Sequence, residues 1–109
     1  MNPTQEQAEK FWMWCGWRFR LSGSESGHYW QDPKGTARAD LPALSLNSLF
    51  KWAVPKVRTN YDVVLETADH PKFLATVWEI GEPNLSSEIV DKDPALALFW
   101  AIYKVMEEK

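Results

Sequence analysis

The chain is poor in cysteine, with Cys15 alone among 109 residues. A single thiol excludes an internal disulfide framework and any cysteine-based zinc cage. Long hydrophobic runs are missing too, and nothing approaches the roughly 20 apolar residues of a membrane-spanning helix. Residues 1–10 are polar and lack the apolar stretch of a secretory signal, so a cytoplasmic setting is expected. The chain contains no GxGxxG, no P-loop pattern and no GxSxG, which removes the usual phosphate-binding and hydrolase signatures. His28 and His70 lack the i, i+4 pairing of a zinc-binding helix, so neither a metal nor a cofactor is expected. There is no basic excess: 12 Lys and Arg stand against 15 Asp and Glu, for a net charge of −3. That balance, with a pI near 5.3, argues against duplex DNA or an anionic membrane as partner.

What the chain does have is tryptophan, seven residues within an aromatic content of 14%. A chain this aromatic buries enough surface to offset its ordering entropy, which excludes disorder. Its length fits a single domain spanning 1–109. A domain of this size has limited room for seven indoles, so at least one is expected to be partly exposed. Trp14 and Trp30 are the candidates; Trp14 lies off the Phe11/Trp12/Cys15 stripe of its helix.

Local patterns set the element order. Thr4 and Gln7 form a capping box ahead of the stripe Ala8, Phe11, Trp12 and Cys15, which predicts a helix from Gln5 to Cys15 ended by Gly16. Trp17, Phe19 and Leu21 then alternate with Arg18 and Arg20, a strand with one apolar and one cationic face. A Ser/Gly-rich loop, Ser22 to Gly27, separates it from a returning strand at His28 to Gln31. The turn Asp32-Pro33-Lys34-Gly35 leads to a third short strand within Thr36 to Asp40. Leu46, Leu49, Phe50, Ala53 and Val54 have helical spacing, with Ser45 or Asn47 as N-cap; Pro55 should end or kink that helix at Val54.

Tyr61 to Thr67 and Phe73 to Ile80 read as a hairpin joined at Ala68 to Lys72. Pairing Val64 with Val77 would put Asp62, Glu66 and Glu79 together on the wetter face. Gly81 to Lys92 reads as a loop of about a dozen residues, long enough to be a place to look for function. Asp93-Pro94 opens a last helix carrying Ala95, Leu98, Phe99, Ile102, Val105 and Met106. The expected fold is α+β, in the order helix–hairpin–helix–hairpin–helix, with one antiparallel sheet of four to five strands packed with helices in a sandwich-like arrangement. On these faces Trp12, Trp17 and Trp78 point to the core, and Trp52 and Trp100 sit on packed helices.

Several stretches together resemble a known family. They are Phe11-Trp12-Met13-Trp14-Cys15-Gly16-Trp17, Trp30 followed by Asp32-Pro33, Leu49 to Pro55, the hairpin ending in Trp78-Glu79, and the helix start Pro94-Ala95-Leu96-Ala97. In order and spacing they are similar to the phage ABA sandwich type of small phage and prophage proteins. The resemblance implies a compact sheet between helical layers and a phage or prophage origin, and it transfers no catalytic residue. The long Ser22 to Gly27 loop and the Leu41-Pro42 pair depart from that pattern.

Three functions compete. The first is a non-enzymatic accessory or protein-interaction module, with Trp14 and Trp30 as contact residues for a protein partner or a homodimer, since Trp, Tyr and Arg dominate interface hot spots. The second is a nucleotide or single-stranded nucleic-acid binder using Arg18, Arg20, Trp30 and Arg38, because arginine and aromatic rings supply phosphate and stacking contacts. Its ordinary counterpart is that the rings are core and the arginines pair with the acidic excess. The third is an enzyme using Asp62, Glu66 and Glu79, against which a solvated sheet face is the simpler reading. Cys15, on an apolar stripe, reads as a buried small hydrophobe rather than a nucleophile.

Overall fold

A computed structural model describes residues 1–21, 27–81 and 85–108. The chain divides into two compact units, one formed by residues 3–43 and the other by residues 1–2 with 44–109. Most of the expected Ser22 to Gly27 loop lies outside the described residues.

In the first unit, helix α1 runs Gln5–Trp14. The Thr4 hydroxyl accepts from the Gln7 amide at 3.1 Å while the Gln7 side chain accepts from the Thr4 amide at 2.9 Å, so the capping box is complete. The helix closes in a Schellman motif, in which Trp17 N–H donates to the Trp12 carbonyl at 3.0 Å and Gly16 N–H to that of Met13 at 3.1 Å. Gly16 holds φ at +110°, a conformation that resists a Cβ. Strands β1 (Arg18–Leu21), β2 (His28–Gln31) and β3 (Ala37–Arg38) follow and form one antiparallel sheet in the order β1-β2-β3. Between β2 and β3 the Asp32 turn closes with Gly35 N–H donating to the Asp32 carbonyl at 2.9 Å, Gly35 at φ +91°. Phe11, Trp12, Cys15 and Trp17 are buried.

The second unit opens with a helical run over 46–57. Ser45 caps α2 (Leu46–Ser48) by accepting from the Ser48 amide at 3.1 Å. A π-helical segment, Leu49–Ala53, comes next, then α3 (Val54–Val57) with Pro55 in its first turn. Pro55 therefore does not end the helical run. The widened turn, in which Val54 N–H reaches the Leu49 carbonyl, precedes the proline and lets the run continue beyond it.

Strands β4 (Tyr61–Thr67), β5 (Phe73–Glu79) and β6 (Leu85–Asp91) form the second antiparallel sheet, β4-β5-β6. Helix α4 (Pro94–Glu107) packs across β5 and β6, its N-terminus capped by the Asp93 carboxylate, which accepts from the amides of Ala95 at 2.8 Å and Leu96 at 3.4 Å. Leu98, Phe99, Ile102 and Val105 of α4 are buried, as are Leu49, Val57, Ala75 and Val77 of the same unit.

The α+β class stands, with two corrections. Among the described residues, six strands form two three-stranded sheets rather than one sheet of four to five. The stretch expected to be a loop, Gly81 to Lys92, supplies β6, while residues 82–84 lie outside the described set. Its Ser-Ser-Glu start has weak strand propensity, and the exposed side of β5 recruits it regardless. Its partners are Phe73 opposite Asp91 and Thr76 opposite Glu88, with a bulge between Val77 and Trp78. No helix among the described residues is long and apolar enough to cross a membrane.

Candidate functional site

The residues singled out from the N-terminal pattern do not form one cluster. In an antiparallel sheet, residues directly opposite one another share a face. Phe19 lies opposite Trp30, and Trp30 opposite Arg38, so these three share one side. Arg18 opposite Gln31 and Arg20 opposite Tyr29 share the other. The sheet thus separates Arg18 and Arg20 from Trp30 and Arg38.

Each arginine already has a protein partner. Arg18 Nη1 donates to the carbonyls of Met13 at 2.8 Å and Trp17 at 2.9 Å, placing a cation at the C-terminus of α1. Arg20 Nε donates to Gln31 Oε1 at 3.1 Å. Arg38 Nε pairs with Asp32 Oδ2 at 3.2 Å. Asp32 is buried, and Asp32 Oδ1 also accepts from the Lys34 and Thr36 amides, both at 2.9 Å. Burial pushes this carboxyl upward, yet the Thr36 amide, the Arg38 guanidinium and the Lys34 amide together hold it below the usual carboxylate value. Here Asp32 and Arg38 organise a turn.

The aromatic expectations hold for Trp14 and need correction elsewhere. Trp30 is 9% exposed; its ring meets Phe19 edge-on at 5.3 Å, and it lines a cleft of about 250 Å³ with Trp12 and Leu41. Trp14 is half-buried on α1. Phe19 is 46% exposed and stacked on His28 at 5.2 Å. Of the rings expected in the core, Trp12 and Trp17 are buried, whereas Trp78 is 37% exposed.

Trp78 belongs to a surface in the second unit that the sequence pattern misassigned. Val63 pairs with Val77 and Val64 with Thr76, one residue away from the expected register. A one-residue slip moves every side chain to the other face. Glu79 therefore sits opposite Tyr61 on the helix side, away from Asp62 and Glu66. The three-carboxylate arrangement proposed for catalysis is thus not assembled. Asp62, Val64 and Glu66 share the outer side with Leu74, Thr76 and Trp78, joined from β6 by Glu88 and Val90.

That outer face is open. Val64 is 42% exposed and Val90 48%, and with Trp78 they place one exposed apolar residue on each of the three strands, around a buried Thr76. Asp62, Glu66 and Glu88 are exposed around it. The three strands carry five carboxylates and no lysine or arginine. The β1-β2-β3 strands show the reverse, three arginines and no carboxylate. The missed signal lay in β4, where Asp62, Val64 and Glu66 alternate cleanly with Tyr61, Val63 and Leu65. In β5 both alternating sets, Phe73/Ala75/Val77 and Leu74/Thr76/Trp78, are apolar, so periodicity alone does not choose a face.

Among the described residues no group of three or more His, Cys, Asp or Glu is placed to hold a metal ion. Cys15 is buried, His28 lies beside Phe19, and His70 is in the exposed β4–β5 turn. These features define a small α+β protein with two three-stranded antiparallel sheets and an uncovered acidic-apolar sheet face. Compared with known families, curated proteins and solved structures, the chain matches none.

Proposed function

We propose that the chain is a non-enzymatic accessory or protein-interaction module, and that it binds through the outer face of the β4-β5-β6 sheet. The observation carrying this reading is the group Val64, Trp78 and Val90, all exposed on one face of three paired strands, with Leu74 and Thr76 of β5 lying among them. Exposed apolar residues grouped on one face mark interaction surfaces far more than scattered ones do. Trp78 has the amphipathic ring enriched among interface anchors. The nucleic-acid reading has weaker support, because Arg18, Arg20 and Arg38 are spread over two faces and each is held by a neighbouring group.

A photo-crosslinking amino acid in place of Val90, introduced in the cells that encode the chain, tests the reading. It should yield a discrete protein adduct, and the same group in place of exposed Thr59 should not. Recovery of the chain free of any adduct, or equal adducts at both positions, would overturn it.

A further inference from the structure

We infer that the occupant of this face is a basic amphipathic helix of a partner protein, with an apolar stripe flanked by lysine or arginine. The inference rests on the interaction reading above and specifies its partner. Three arguments on charge and shape lead there.

First, the charged residues that the strands place on this face have one sign. Asp62, Glu66 and Glu88 surround Val64, Trp78 and Val90, and the strands beneath carry no cation to neutralise them. A phosphate-bearing ligand meets like charge there. So does a second copy of the chain: two such faces docked on a two-fold axis would set acidic rim against acidic rim, and juxtaposed like charges oppose association. A cationic rim on the partner turns the same geometry into attraction.

Second, the width suits one helix. Neighbouring strands lie about 4.8 Å apart, so three of them span about 10 Å, close to the diameter of a single α-helix with its side chains. Strands of seven residues run about 23 Å, the length of a helix of about 15 residues.

Third, the same sheet already accepts a helix on its other side. The 14-residue α4 packs across β5 and β6 there, with Ala75 and Val77 buried. A partner helix would supply the second layer of a helix–sheet–helix arrangement, the ordinary way of covering both faces of a sheet.

The test uses the whole chain, ¹⁵N-labelled, and two designed helical peptides with the same leucine stripe. One carries lysine beside the stripe and the other glutamate. The lysine peptide should shift the amide signals of Val64, Thr76, Trp78 and Val90 and bind at least about tenfold more tightly than the glutamate peptide. Raising salt from about 50 to 300 mM should shrink that preference severalfold, as screening predicts. The triple variant Asp62→Lys, Glu66→Lys, Glu88→Lys, checked for folding by circular dichroism, should prefer the glutamate peptide. A lysine peptide bound no better than the glutamate one, shifts confined to other surfaces, or dimerisation of the chain through this face in sedimentation would each overturn the inference. If the peptides fail while the Val90 crosslinker still captures a protein, the interaction module stands and the basic helix falls.

Discussion

At the scale of single residues, two buried polar groups behave in opposite ways. Asp32 has a partner for each of its contacts, two backbone amides and the Arg38 guanidinium. Its carboxyl is held below its ordinary value, so across the acidic window the unfolded chain takes up the proton more readily than the folded one. Stability from this group is therefore complete above the unfolded value near 3.8 and is lost as pH falls through the lower folded value. Thermal unfolding followed between about pH 2 and 5 should show a steeper fall for the wild type than for Asp32→Asn, which cannot titrate. Ser87 is the contrary case. It lies opposite Val77 on the helix side of its sheet, is buried, and its hydroxyl has no hydrogen-bond partner among the described residues. An unsatisfied buried hydroxyl costs stability, so Ser87→Ala should raise the unfolding free energy by about 1 kcal/mol in a denaturant titration.

At the scale of elements, local chemistry governs the ends and distant pairing governs the middles. The α1 terminus depends on Gly16 twice over. Its φ of +110° disfavours a side chain, and an added Cβ would come within 3.2 Å of Pro33 Cγ. Gly16→Ala should cost about 1–3 kcal/mol, read as a lower denaturation midpoint at unchanged slope. The helix caps and turns were legible from sequence because each is complete within three to five residues, as with Thr4/Gln7 and Asp93-Pro94. The π-helical segment was half legible. Pro55 announces a disturbance near Val54, but the widened turn that absorbs it depends on how the whole 46–57 run is held. Strand β6 was not legible, since its serines and glutamate acquire strand geometry only from the β5 edge they pair with.

At the scale of the whole molecule, a net charge of −3 conceals an uneven distribution. The β4-β5-β6 strands hold carboxylates without cations, and Asp62, Glu66 and Glu88 project from one side. Their mutual repulsion weakens as salt screens it. The melting temperature should therefore rise by a few degrees between about 20 and 300 mM sodium chloride. Glu66→Gln should reduce that salt dependence; a melting temperature indifferent to salt would show that the face carries no net repulsion.

The sequence by itself determined the caps, the turns, the α+β class and the presence of a tryptophan-rich core, because those follow from short-range hydrogen bonding and from composition. Only the tertiary structure decided that the described strands divide into two sheets, that Val64 meets Thr76, and that Trp78 faces solvent while Trp30 is buried. The physical reason is the period of two. In β5 both faces are apolar, and a single-residue slip exchanges them, so the side that meets α4 is set by pairing across the sheet and not by the pattern within one strand.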